Sequence, residues 1–256
     1  MDDPFSVYAP FYDLDYAEVV DDLRLVSQFA ARCGSPILEL ACGTGRVLLP
    51  LAREGYRLTG VDNSTAMLDR ARQKIAAAAG LEGQVTLVAQ DMRDLHLAER
   101  FNLAFVVSNS FLALLTLDDQ VAALAGVHRH LNPGGLLLLD LFNPDPARLL
   151  ESDGSLVLEK VMVAPETGHR LLKLRSQRVD VGRQLIEVTV LIDEVDDGGR
   201  VRRTIFPFSL RYLFRPELEL LLRQAGFGVE AIYGSYDLDE FSGDSERLIA
   251  VARRAG

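Results

Sequence analysis

From Ser35 onward the chain repeats one rhythm, a short apolar run, a turn, a helical stretch and then another apolar run. Strands are predicted at 36–41, 57–61, 85–89, 103–108 and 135–141, with helices at about 46–54, 64–79 and 118–131. The strand candidates show no clean apolar–polar alternation, which points to burial on both faces of a parallel sheet. Strands that alternate with helices build βαβ units. Right-handed crossovers then place helices on both sides of one open sheet. The fold class is therefore α/β.

Two segments break this rhythm. Residues 17–32 carry apolar side chains at helical spacing, and ahead of them stands an aromatic-rich stretch around Tyr8, Phe11, Tyr12 and Tyr16 that has no clear period. After Pro146 come four runs of strand character, Leu156–Val163, Leu171–Val179, Leu185–Val195 and Val201–Phe208, separated by turn residues such as Asp196-Asp197-Gly198-Gly199. These predict an antiparallel β meander inserted into the α/β domain. A helix resumes over 216–225, with Pro216 in its first turn and Gly226 at its end, and strands at 229–233 and 247–252 close the sheet. The expected division is a leader over 1–34, an α/β domain over 35–150 and 214–256, and an inserted β subdomain over 151–213.

Composition removes several function classes. Apolar residues make up 48% of the 256 and charged residues 25%, as in a soluble globular protein, which excludes a disordered or fibrous chain. No apolar run approaches the ~18 residues that span a bilayer, so no membrane association is expected. The start, Met1-Asp2-Asp3-Pro4, is acidic and lacks the basic and apolar parts of a secretory signal, so the expected location is cytoplasmic. Two cysteines, Cys33 and Cys42, and four scattered histidines supply no metal site. The net charge of −10 argues against nucleic acid, whose phosphates call for a basic field.

The chemistry concentrates at Ile37-Leu38-Glu39-Leu40-Ala41-Cys42-Gly43-Thr44-Gly45-Arg46, where a buried strand runs into a glycine-containing turn and then a helix. Gly43 and Gly45 let the backbone turn sharply and approach a ligand closely. A dinucleotide fingerprint needs a third glycine three positions after Gly45, where helix and strand pack, but Leu48 stands there. Strand two ends in Asp62, placed to accept from ribose hydroxyls, and strand three in Gln90-Asp91-Met92. Strand four ends in Ser108-Asn109. All these groups lie at one carboxyl edge, where open α/β sheets bind ligands.

The chain resembles the class I S-adenosylmethionine-dependent methyltransferases, which have a Rossmann-like, mostly parallel seven-stranded sheet with a reversed final strand. The matching segments are Leu38-Glu39-Leu40-Ala41-Cys42-Gly43-Thr44-Gly45, Gly60-Val61-Asp62-Asn63-Ser64-Thr65-Ala66-Met67-Leu68, Gln90-Asp91-Met92 and Leu131-Asn132-Pro133-Gly134-Gly135-Leu136. Together with the terminal strands they span roughly 35–145 and 215–253. Ala41 departs from the pattern by standing where a first glycine is frequent. The resemblance implies S-adenosylmethionine as cofactor. Glu39 and the backbone of Ala41, Cys42, Gly43, Thr44 and Gly45 would hold its methionine end. Asp62 would take the ribose, with Asn63 and Met67 beside the adenosine. Gln90, Asp91 and Met92 would frame the adenine, and Ser108 and Asn109 would line the floor near the methyl group. Tyr12 and Tyr16 match a tyrosine-containing leader in relatives of the sugar N,N-dimethyltransferases and glycine N-methyltransferase. Tyr16 is assigned to the cofactor, and Tyr12, Asn143, Arg211, Tyr212 and Tyr236 to the acceptor.

The implied reaction moves a methyl group to nitrogen or oxygen of a small-molecule acceptor by in-line displacement. An amine needs little acid–base help, whereas an alcohol requires a base, and no histidine falls on a strand end. A non-catalytic cofactor-binding module and a nicotinamide oxidoreductase are the competing readings. Leu48 and the lack of a Tyr-x-x-x-Lys set weigh against the second. The 155–213 insertion either caps the acceptor pocket or pairs by its strand edges with a second copy to give a homodimer.

Overall fold

The computed structural model describes residues 3–81, 83–151 and 153–255, so that Met1 and Asp2 of the acidic start lie outside the described residues. In chain order the α/β part contains β1 (Ile37–Leu40), α3 (Leu48–Arg53), β2 (Leu58–Asp62), α4 (Thr65–Ala77), β3 (Val85–Ala89), β4 (Phe101–Val106), α5 (Leu117–His130) and β5 (Leu131–Phe142). Ahead of it lie α1 (Ala9–Asp15) and α2 (Asp21–Cys33). After it come α6 (Pro146–Glu151), the strands β6 (Leu156–Val163), β7 (Arg170–Asp180), β8 (Leu185–Val195) and β9 (Val201–Arg211), then α7 (Arg215–Gln224), β10 (Phe227–Tyr233) and β11 (Arg247–Arg254).

The main sheet has seven strands in the order β10-β11-β5-β4-β1-β2-β3, and β6-β7-β8-β9 form a separate four-stranded antiparallel sheet. Strands β5, β4, β1, β2 and β3 are parallel, and β11 runs against β5. Both expectations, the Rossmann-like sheet with a reversed last strand and the added meander, hold.

Burial on two faces explains the unalternated strands. Along β4, Ala104 and Val106 enter one core cluster while Leu103 and Phe105 enter the other, and β5 divides the same way at Leu137 and Leu139 against Leu136 and Leu138. A Cβ on Gly60 of β2 would meet Cδ1 of Leu48 at 2.4 Å and Sγ of Cys42 at 2.8 Å. The helix thus comes close to the sheet with the bulky residue on the helix and the missing side chain on the strand.

The leader, which has no readable period, folds into a 3-10 turn over Pro4–Val7 followed by α1. Tertiary packing supports it: Tyr8 stacks on Phe206 of β9 with centroids 4.8 Å apart, and both join Met67 of α4 in a third buried cluster. The small sheet therefore presses the leader onto the main domain. Helix α2 begins at Asp21, later than periodicity suggested, with Asp21 and Asp22 in its first turn, where acidic groups favour a helix start. Among the described residues no helix is long and apolar enough to cross a membrane.

Candidate active site

The turn after β1 places Ala41, Gly43 and Gly45 in the left-handed region, with φ of 53°, 54° and 76°. Glycine adopts this region freely, and Ala41 occupies it against its steric preference. The turn is fastened to β2: Cys42 donates its N–H to the Val61 carbonyl, and Asp62 accepts from Gly43 N–H at 2.7 Å on one oxygen and Ser64 N–H at 2.8 Å on the other. The Ser64 side chain in turn caps α4. Burial pushes the Asp62 carboxyl up, and the backbone N–H bonds pull against it. Each of its oxygens keeps a lone pair for a further donor, as a pair of ribose hydroxyls would require.

Glu39 is almost wholly buried, and burial holds its carboxyl well above the ordinary range. It takes a bond from the Leu48 N–H, yet its Oε2 has no partner. A buried orphan acceptor beside the turn fits the ammonium at the methionine end of the cofactor.

The leader closes over this turn. Tyr12 lies on Gly43, where a Cβ would meet its ring at 3.8 Å, and Tyr12 stacks on Tyr16 with centroids 4.6 Å apart. Thr44 donates to Asp13 at 2.5 Å, and Lys74 donates to both. Tyr8 and Lys173 share Asp15, while Lys160 bonds the Asp15 carbonyl. Each of the three lysines of the chain thus anchors α1. Burial leads in raising Tyr12 and Tyr16, so both stay neutral phenols.

Sequence reasoning missed Arg46. Its guanidinium pins Asp22 of α2 through both terminal nitrogens, bonds the Ser108 hydroxyl and the Val19 carbonyl, and stands over the Tyr16 ring at 5.3 Å. The available signal was its place directly after Gly43-Thr44-Gly45.

Ser108 and Asn109 follow β4 in left-handed conformations, φ 56° and 65°. Asp140, wholly buried on β5, holds them: its carboxylate accepts from Ser108 N–H, from the Tyr236 hydroxyl at 3.2 Å and from Arg247, while its carbonyl takes Asn109 N–H. The Asn109 side chain accepts from Phe142 N–H at 2.6 Å. Asp140 and Arg247 were also missed, although a single acid inside the run Leu136–Leu141 was a legible signal. A cavity of about 380 Å³ opens between β10 and β11, lined in part by Tyr236 and Arg247.

At the tip of β3, Asp91 is paired with Arg93, whose hydrogen bond leads in holding its carboxyl low, and Asn63 reaches the same carboxylate. Gln90 closes the following loop through both His96 backbone groups, and Met92 packs at the edge of the core. Met67 lies in the cluster with Tyr8 and Phe206.

Of the acceptor candidates, only Tyr12 and Tyr236 stand at these groups. Asn143 ties down the β10–β11 loop through Gly243 and Ser245, Arg211 is buried against Glu217 and Gln120, and Tyr212 is core. Cys42 is buried with its thiol pushed up. His130 is satisfied by Gly126 and Leu97. Among the described residues no group of His, Cys, Asp or Glu is arranged to hold a metal.

A reversed-strand α/β sheet with a glycine turn, an acid at the end of the second strand and polar groups after the fourth, all at one edge, is the arrangement of the class I S-adenosylmethionine-dependent methyltransferases. Residues 37–135 match the family described as "Methyltransferase domain". The cypemycin N-terminal methyltransferase of Streptomyces sp is 28% identical over 221 residues, 86% of this chain and 84% of that protein. Among solved structures, the CcbJ methyltransferase of Streptomyces caelestis is 28% identical with a TM-score of 0.77, covering 92% of this chain and 90% of its own. DesVI of Streptomyces venezuelae is 25% identical with a TM-score of 0.77, covering 97% and 98%. The chain is a class I S-adenosylmethionine-dependent methyltransferase.

Proposed function

We propose that this enzyme methylates an amine nitrogen of a small molecule. One observation carries the reading: the Tyr236 hydroxyl donates to Asp140, and Asp140 is fixed by Arg247 and Ser108 N–H. With its proton committed, the phenol offers only lone pairs; these can hold an N–H or an O–H of the acceptor, of which only the amine reacts without a base. Burial and the Asp140 charge hold the phenol well above its ordinary value, so Tyr236 orients the acceptor instead of removing its proton.

The cofactor supplies an electrophilic methyl group on a sulfonium. The chain supplies placement: Asp62, Glu39 and the 41–45 backbone hold the cofactor, with Asn63, Gln90, Asp91 and Met92 at the adenine end. Tyr12 and Tyr16 exclude water, and Ser108 and Asn109 shape the floor. Bringing nitrogen and methyl to near-attack distance accounts for most of the acceleration, as an amine lone pair needs no base. The name of the cypemycin N-terminal methyltransferase places methylation on an N-terminus, in keeping with nitrogen here. A net charge of −10 disfavours nucleic acid. Cytoplasmic work and the division into leader, α/β domain and inserted sheet belong to the same proposal, as does pairing of two copies through the small sheet.

The test incubates the full chain with S-adenosylmethionine and matched amines and alcohols, following S-adenosylhomocysteine release and product mass. Primary and secondary amines should gain a methyl group, and Tyr236→Phe should slow them about 10–100-fold, the worth of one or two good hydrogen bonds. Turnover of alcohols alone, or cofactor binding with no amine methylated, overturns the reading.

A further inference from the structure

Asp91, at the tip of β3, has its acceptor positions filled. A carboxylate offers about four lone-pair sites. Oδ1 takes the backbone N–H of Arg93 at 2.9 Å and its Nε–H at 3.0 Å, and Oδ2 takes an Nη2–H of the same residue at 2.7 Å. The Asn63 side chain reaches this carboxylate as well and supplies the fourth donor.

Strand β3 pairs with β2 so that Ala89 stands opposite Asp62, and the Gln90 N–H bonds the Asp62 carbonyl at 3.1 Å. Asp91 therefore lies one step beyond the acid assigned to the ribose, on the side where the base of a nucleoside would lie. The 6-amino group of an adenine is a donor, and a carboxylate that already holds four N–H groups has no place for a fifth. One of the four must leave. The Arg93 backbone N–H is fixed by the local turn, whereas the guanidinium has a second partner at hand. Its Nη1 donates to Asp119, in the first turn of α5, at 3.1 Å. The Arg93 side chain is also 45% exposed, against 29% for each of the two acids, so it has room to turn.

We propose that Arg93 is a positioning residue that sets how tightly the cofactor's adenine is held: it fills Asp91 while the site is empty and shifts onto Asp119 when the purine 6-amino group takes its place. This rests on Asp91 being the acid that meets the adenine. A ligand without the 6-amino group offers Asp91 nothing and leaves Arg93 where it is. Arg93 stays paired throughout the exchange, so the exchange costs one half-exposed contact, and contacts of that kind change an equilibrium by up to about fivefold. Asp119 thereby takes part in cofactor binding without touching the cofactor.

Calorimetric titration of the full chain tests this with S-adenosylhomocysteine and its 6-deamino counterpart, in which hydrogen replaces the amino group. The ratio of the two affinities reads the hold on the adenine. Arg93→Met frees Asp91 and should raise that ratio about two- to fivefold, through tighter S-adenosylhomocysteine alone. Asp119→Asn weakens the second partner and should lower the ratio in the wild-type background, yet leave it unchanged when Arg93→Met is also present. An Arg93 that only braced β3 against α5 would leave the ratio unmoved. A ratio in Arg93→Met at or below that of the wild type overturns the proposal, as does an Asp119→Asn effect that survives without Arg93. Asp91→Ala should lower the ratio most of all. An unchanged ratio there removes the adenine reading beneath the proposal, and a wild-type chain that binds neither ligand removes the cofactor site itself.

Discussion

Glu39 binds a proton more tightly in the folded chain than in the unfolded one, because burial disfavours its charged form. A raised folded-state value means stability that is complete below the ordinary glutamate range and lost as pH rises through the folded value. The ligand-free protein should therefore melt at falling temperature as pH is raised above the ordinary glutamate range, and Glu39→Gln should flatten that slope. Saturating S-adenosylhomocysteine should flatten it as well, since an ammonium against Oε2 makes the ionised form the favoured one. A slope identical in wild type and Glu39→Gln would show that Glu39 does not titrate in this window. Asp62 gives the companion measurement. Its carboxylate holds Gly43 and Ser64 N–H, so Asp62→Ala should weaken S-adenosylhomocysteine by roughly 1–3 kcal/mol in calorimetry. Unchanged affinity there would strip Asp62 of the ribose role.

Gly60 shows how one element reads another. With Leu48 Cδ1 only 2.4 Å from the place of a Cβ, Gly60→Ala must push α3 off β2, at a cost of about 1–3 kcal/mol in urea unfolding. A variant as stable as the wild type would mean that Leu48 repacks freely. The same contact marks the limit of what the sequence discloses. Strands β3, β6 and β8 fall on the residues expected from their apolar runs, because propensity and burial agree there. β5 starts earlier than expected, at Leu131, since pairing of Leu131 with Phe101 recruits the Asn-Pro-Gly-Gly segment through a register shift, a non-local event. Helix α1 was illegible for a related reason. Its seven residues have no apolar stripe of their own, and Tyr8, Asp15 and their partners on β7 and β9 meet only after the whole chain has folded. The cofactor motif was legible because its turn, acid and floor each follow a strand directly. The positions of Arg46 and Asp140 carried a local signal, but their pairing with Asp22 and Arg247 did not, because these partners are distant along the chain.

At the scale of the molecule, the small sheet has two unlike faces. Its inner face carries Ile186, Val188, Val190, Ile192 and Phe206 against the leader. Its outer face shows Leu156, Leu158, Val161, Val163, Val201 and Ile205, each about half exposed. The same face also carries Arg178, Glu187, Asp193 and Arg203, in opposite-charge pairs across strands, with Arg203 bonded to Asp193. Four strands about 4.8 Å apart and roughly 30 Å long make a face of about 600 Å², above the roughly 500 Å² per partner that a specific interface needs. A second copy supplies the same surface of aliphatic and paired charged groups and can cover it about a twofold axis, where each residue meets its own kind or a near neighbour. Sedimentation velocity should therefore give a dimer at micromolar concentration. Leu158→Asp should split it, since a twofold interface brings the new carboxylate in twice. In the separated chain that position faces water, so the melting of the monomer should shift little. A wild-type protein that sediments as a monomer, or a Leu158→Asp dimer as tight as the original, would leave the outer face without this partner.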